Sequence, residues 1–342
     1  MEKGKVFKVI FVIIIFIFIF AFLNILMMPK YQDSLVEGSM ISEYYKSPKN
    51  HEVIFIGDCE VYANFDPMIL YDEFGISSYI RGSSQQLIWQ SYYVLEETLK
   101  YEIPKVVVLN VNSLRYDKSS DKRNEAYNRL MIDRMRWSKS KVKLIKESML
   151  DEETFISYVF PILRYHSRYN ELSKEDLKYL FKRKNVTYNG FLINKNVKGV
   201  ENLPTKRKLA NYDFDKENIE WLDKIVELCK KHNIKLILVK APSLYPYWYT
   251  EYEEQIVSYV KKNNLTYFNL LDDVEEIGID YSKDTYDGGL HLNLSGSIKN
   301  SQYFGKLLKQ TIDLKDYNGD NYYEGLLKSY REELNRWKKD YY

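Results

Sequence analysis

The chain has 342 residues, with 50 Lys and Arg against 48 Asp and Glu and a formal net charge of +2. That length is enough for one large domain or two small ones with a sizeable core. The two signs of charge are interspersed, which excludes the basic footprint of a nucleic-acid binder. No Cys/His cluster has metal spacing and no glycine loop could cradle a phosphate, so no cofactor is expected.

At the amino terminus, Lys3, Lys5 and Lys8 stand before an apolar run, 9–28, which only Asn24 interrupts. About 20 residues rising 1.5 Å each cross the hydrocarbon core of a bilayer. Lysines on the leading side keep residues 1–8 in the cytoplasm and place the main domain outside the cell. The run ends in Leu26-Met27-Met28-Pro29-Lys30, without a small-x-small cleavage site, so a single-pass, uncleaved cell-membrane anchor is expected. Residues 29–50 are polar and aromatic and read as a stalk.

From residue 51 the patterns of strand and helix alternate. An apolar strand at 53–56 runs into Gly57-Asp58-Cys59, and Asp66-Pro67 opens a helix that continues to 71. A short strand at 76–80 precedes a helix at 86–101, with Leu87, Tyr93, Val94, Leu95 and Leu99 for its buried face, and Pro104 ends it. The strand at 105–109 is apolar without alternation, as in parallel sheets covered on both faces. Residues 118–215 lose the rhythm, are helical at 141–149 and 174–182, and read as an insertion lying over the sheet. The rhythm returns with helix 216–232, strand 235–239, helix 252–263, strand 266–270 and a core helix at 295–309. In the tail, 313–342, Tyr323, Leu327, Tyr330, Leu334 and Trp337 keep a four-three spacing that packs one helical face. The fold class is α/β with a mostly parallel sheet, the main domain covering 51–312.

Sites in parallel sheets form at the carboxyl ends of strands. Asp58 and Cys59 follow the first strand, Arg81-Gly82-Ser83-Ser84-Gln85-Gln86 the second, and Asn110-Val111-Asn112-Ser113 the third. Asp287 and His291 lie on a glycine-loosened loop before the last core helix. Together they suit acyl chemistry: Cys59 attacks a carbonyl, His291 takes its proton, and Asp287 orients and charge-stabilises the imidazole. The N–H groups of Cys59 and Gly82, with the Asn112 amide, receive the oxyanion. A helix start after Cys59 favours its thiolate, while Glu60 opposes it. Cys229 shares an apolar helical face with Leu222, Ile225 and Val226, so it reads as packed and not bridged to Cys59. His51 and His232 read as surface or strand-start residues. In the insertion, Arg164, His166 and Arg168 alternate with Tyr165 and Tyr169, which is either a cationic aromatic surface for a phosphate-bearing polymer or a solvated helix face.

Four separated blocks resemble the SGNH (GDSL-type) hydrolase superfamily. Gly57-Asp58-Cys59 stands where that superfamily has Gly-Asp-Ser, so Cys59 replaces the usual serine; Gly82 matches the second-block glycine and Asn112 the third-block asparagine. Asp287 and His291 match the last block with one residue too many between them, which keeps Asp284 as a second candidate for the orienting carboxylate. The resemblance covers 51–117 and 216–310 and implies a three-layer SGNH-like fold. The anchor, the GSSQQ stretch and the HLNLSG ending look most similar to the membrane-tethered, DltD-like proteins of Gram-positive D-alanyl-lipoteichoic acid biosynthesis. That likeness implies an extracytoplasmic acyltransferase moving an acyl group, D-alanyl first and acetyl second, to or from an envelope glycopolymer such as teichoic acid. It also implies a membrane-bound acyltransferase partner that hands over the acyl group. A polysaccharide O-acetyltransferase or esterase, and a catalytically silent scaffold that binds envelope polymer, are the alternatives.

Overall fold

Five segments, Val53–Gly57 (β1), Ser78–Gly82 (β2), Val106–Asn110 (β3), Lys235–Lys240 (β4) and Thr266–Asn269 (β5), pair in parallel in the order β2-β1-β3-β4-β5. They come from a computed structural model that describes residues 3–29, 37–116, 125–181 and 185–341. Every residue of β1, β2 and β3 is buried, because each face of the sheet carries a helical layer. Ile54, Ile56, Val107, Leu109 and Leu238 pack on one face against helices Ile88–Thr98 and Lys216–Lys231. Val53, Phe55, Val106, Val108 and Val239 pack on the other against Pro67–Phe74, Leu294–Thr311 and Asn321–Tyr341. The result is the expected three-layer α/β architecture. β2 begins two residues later than the pattern suggests. Ile76 is spent on the preceding helix end, where Gly75 is left-handed and the Ile76 N–H bonds the Leu70 carbonyl at 3.1 Å.

The stalk reading does not hold for residues 37–50. A helix Glu37–Glu43 and a tight turn Tyr44–Lys46 fold onto the sheet, and Tyr44 is fully buried. Its hydroxyl donates to Glu102 at 2.7 Å and the Arg81 guanidinium lies 3.8 Å from its ring centroid. Tyr44, one of the aromatic residues that made this stretch look like a spacer, is therefore a core residue, and Tyr45 packs half-buried against the same core. His51, read as a surface or strand-start residue, is buried and paired to Glu102 at 2.9 Å.

The insertion divides in two. Residues 125–181 form short helices, whereas the chain beyond 185 returns to the sheet and closes its edge: the Asn189 carbonyl accepts from Ile80 N at 2.9 Å, and Phe191 is buried beside it. An edge strand whose N–H groups need partners explains why this part is not a separate excursion. Residues 30–36, 118–124 and 182–184 of the stalk and insertion readings lie outside the described residues. The tail helix Asn321–Tyr341 buries Tyr323, Leu327 and Tyr330 on the face that the spacing marks. Helix Lys3–Met27 is exposed through most of its length, but Asn24, Leu26 and Met27 are covered by the domain.

Candidate active site

The chain goes from β1 to β2 on one side of the sheet and then crosses back to β3 on the other. The carboxyl ends of β1 and β3 therefore part at a topological switch point, where α/β sheets place ligands. Gly57 and Gly82 sit opposite each other in register at the ends of β1 and β2. A Cβ on Gly82 would fall 2.5 Å from Val61 Cγ2, and one on Gly57 would fall 2.9 Å from Asn110 Cβ. Both positions must be glycine for the elbow to close this tightly.

Asp58 caps the helix Cys59–Asn64, accepting from Glu60 N at 3.1 Å. Its carboxylate also accepts from Asn110 Nδ2 at 3.1 Å and from Asn112 Nδ2 at 2.6 Å. Asn112 Oδ1 in turn accepts from Arg115 Nε at 2.9 Å. Asn112 is thus fixed from two sides. Cys59, the first residue of that helix, is partly exposed, while Asp58 and Glu60 on either side are buried.

Asp287 clasps His291 at two points: Oδ1 accepts the His291 backbone N–H at 2.8 Å, and Oδ2 meets ring Nδ1 at 2.6 Å. The chain between them turns through Gly288 and Gly289, both at positive φ, which accommodates the extra residue of spacing. Asp284 is committed elsewhere, accepting from Asp280 N at 2.8 Å and Lys299 Nζ at 2.6 Å. With Nδ1 held by a carboxylate, the proton-accepting nitrogen of a neutral ring is Nε2. That atom is buried and forms no hydrogen bond of its own. The Cys59 thiol lies within interaction range of the ring, and Tyr286 stacks on it with centroids 5.5 Å apart.

Burial pushes the Cys59 thiol up, and the Asp58 and Glu60 carboxylates add to the rise, outweighing the pull of His291. The opposing effects of helix start and Glu60 read from the sequence therefore resolve toward a protonated thiol at rest. Burial opposes charge on His291, whereas Cys59 as thiolate and the Asp287 carboxylate favour it, and the ring ends above the ordinary histidine range. The charge contribution of Cys59 exists only when it is a thiolate, whereas burial and the Asp287 carboxylate act on the ring in either state. The pair is thus a protonated thiol beside an imidazole that a carboxylate orients.

Beneath Cys59 lies an ion pair that sequence reasoning missed. Lys240 Nζ meets Glu60 Oε1 at 3.3 Å, with both side chains almost fully buried, and donates to the Ala241 carbonyl at 2.7 Å. Burial raises the Glu60 carboxyl, against the opposing pull of Lys240. Asn110 Nδ2 reaches Glu60 Oε2 at 2.8 Å and so joins this pair to Asp58. The legible signal was a lysine at the carboxyl end of the apolar run 236–239. Arg115 and Tyr286 were also missed: Arg115 lies one turn after Asn112 at the end of the tight helix Val111–Arg115, and Tyr286 directly precedes Asp287. Beyond Arg115 opens a cavity of about 1170 Å³, lined among others by Arg207, Tyr245, Tyr247, Tyr249 and Tyr252.

Arg164, His166 and Arg168 do not join this site. Arg164 pairs with Glu125, with Nη2 2.8 Å from Oε2. His166 Nδ1 lies 3.3 Å from its own helix's Leu163 carbonyl, and Arg168 Nη1 donates to the Met27 carbonyl at 2.7 Å. Their partners belong to the insertion and the anchor. Among the described residues no group of three or more metal-ligating side chains occurs, and Cys59 and Cys229 are both free.

No family model matches the chain, and no curated protein matches it. Among solved structures, a GDSL-like lipase from Bacteroides thetaiotaomicron resembles it with a TM-score of 0.37 and 12% identity, over 81% of this chain and 98% of that one. A putative acylhydrolase from Bacteroides fragilis gives a TM-score of 0.36 and 12% identity, over 83% and 91% of the two chains.

Proposed function

We propose that this chain is a membrane-anchored acyltransferase of the SGNH type that carries its acyl group as a thioester on Cys59. The observation that supports this most is the two-point clasp of His291 by Asp287, with a buried, unoccupied Nε2 and a thiol in range. In the first half-reaction His291 Nε2 takes the Cys59 proton as the sulfur attacks the donor carbonyl, and the donor's leaving group departs with that proton. In the second, an acceptor hydroxyl gives its proton to His291, attacks the thioester and restores the thiol. The N–H groups of Cys59 and Gly82, with the Asn112 amide, receive the oxyanion in both.

The acyl group is D-alanyl, with acetyl as the second choice, and the acceptor is an envelope glycopolymer such as teichoic acid. This part rests on the sequence resemblance, as do the membrane-bound acyltransferase partner and the outward orientation. The contacts of Asn24, Met27 and Met28 with the domain favour a retained anchor, since cleavage after the apolar run would discard them. The test is intact-mass analysis of the full chain after incubation with D-alanine-charged Gram-positive membranes. A D-alanyl adduct on Cys59 that transfers to polymer is expected. An acetyl adduct would change the acyl assignment, an adduct lost only to water would make the protein an esterase, and the absence of any adduct would reject the enzyme reading.

A further inference from the structure

The apolar residues that the domain leaves exposed around the anchor have a definite location. Helix Lys3–Met27 has the length and composition of a membrane span, and its side chains from Phe7 to Ile19 stay uncovered. Near its carboxyl end the insertion packs directly on it. The Phe20 and Phe160 rings lie 5.4 Å apart, Asn24 Oδ1 accepts from Ile162 N at 3.0 Å, and helix Lys174–Phe181 runs against the same anchor. Phe20 stands seven residues before Met27, which at 1.5 Å per residue is about 10 Å down the helix axis. A side chain that touches Phe20 is therefore at the depth of the hydrocarbon edge. Around this contact Ile156, Phe160, Leu163 and Leu177 are 36–51% exposed and Phe181 is 78% exposed. Leu177 and Phe181 are four apart and share one helical face.

We propose that these five side chains form a collar seated in the membrane, dipping past the headgroups of the leaflet from which the domain emerges. The occupant of this surface is lipid. The patch continues the exposed flank of the spanning helix, and no aqueous environment reaches that helix at this level. The cations behind the patch fit the same location: Arg134 and Arg168 donate to the Met28 and Met27 carbonyls, where the helix leaves the bilayer and its last carbonyls lack partners. The domain is thus fixed in tilt and height on the membrane by two elements instead of swinging on a spacer. This inference is independent of the chemistry assigned to Cys59.

The test uses the full chain in nanodiscs of equal parts phosphatidylglycerol and phosphatidylcholine. Spin labels at Leu163 and Phe181, in a Cys59→Ser/Cys229→Ala background, should collide at least several-fold more with oxygen than with a water-soluble nickel chelate. A label at the exposed Val257 of the sheet domain should show the reverse preference. The unaltered chain, in the same discs doped with a lipid carrying a diazirine on its acyl chain, should cross-link through peptides containing 155–163 and 174–181 as well as through the anchor. Nickel-accessible labels at Leu163 and Phe181, or cross-links confined to residues 3–27, would overturn the collar.

Discussion

At the carboxyl edge of β1 and β3, Asp58, Glu60, Asn110 and Lys240 hold one another by hydrogen bonds and one ion pair, while His291 Nε2 is left buried and open beside a thiol. At the anchor exit the charges are as dense, but they close on themselves. Arg129 pairs with Asp133 at 3.2 Å and Glu153 at 3.3 Å, Arg168 with Asp176 at 3.4 Å, and Arg164 with Glu125. A buried polar group without a partner costs stability, so a fold keeps one mainly where something else uses it. Satisfied charges position a structure, and an open valence next to a nucleophile marks where chemistry can happen.

Removing the proposed nucleophile should give the largest effect. Cys59→Ala is expected to abolish acyl transfer and the mass adduct while leaving the fold intact, since Cys59 is partly exposed and leaves little cavity. Cys59→Ser should retain a measurable part, because a hydroxyl could still pass its proton to His291. Normal envelope acylation in cells carrying only well-expressed Cys59→Ala protein would end the contrast drawn between the two regions.

Next in size is Asp287→Asn, with an expected rate loss of about 10²–10⁴-fold, since an amide would favour the wrong imidazole tautomer. The pH profile supplies a second reading. His291 must be neutral to accept the thiol proton, so activity in the parent protein should fall as pH drops and the ring becomes protonated. The Asp287 carboxylate favours the charged ring, so Asp287→Asn should move the acid limb downward. An unmoved limb would mean that another group controls it.

Lys240→Met probes the network below the site. It leaves Glu60 buried without its cation and should destabilise the chain by about 3–5 kcal/mol in chemical unfolding. The double variant Glu60→Gln/Lys240→Met should recover most of that loss. A single variant as stable as the parent would show that Glu60 is already protonated there.

The three layers were legible because burial on both faces leaves strands apolar without alternation, as in 105–109, and because Asp66-Pro67 and the four-three spacing of the tail act locally. Cys59, Gly82, Asn112, His291 and Asp287 were legible as strand-end and loop residues. Asp284 could not be separated from Asp287 by spacing alone, because the outcome depends on how two glycines turn the loop and on which carboxylate Lys299 captures. The Glu60–Lys240 pair spans 180 positions of sequence, so only the sheet order brings it together. The stalk was misread for a related reason: Tyr44 looks solvent-tolerant in isolation, and its place in the core depends on Arg81 and Glu102 arriving from other elements.

The smallest effect is expected where the sequence suggested a polymer surface. Arg164→Ala and His166→Ala should each change kcat/KM for polymer acylation by less than about twofold. Arg164 is 48% exposed at its side chain and its partner is Glu125, and such surface pairs contribute about 0–1 kcal/mol. His166 is exposed and makes only a contact with the Leu163 carbonyl within its own turn. Neither touches the loops that hold Cys59 and His291, so neither can alter the reacting geometry, and a role in binding would have to appear as a change in KM alone. Steady-state kinetics with isolated teichoic acid separates the two parameters. A KM raised tenfold or more at unchanged kcat would make the anchor exit a substrate surface after all, and the self-closed charges there would then be a site that opens when polymer arrives.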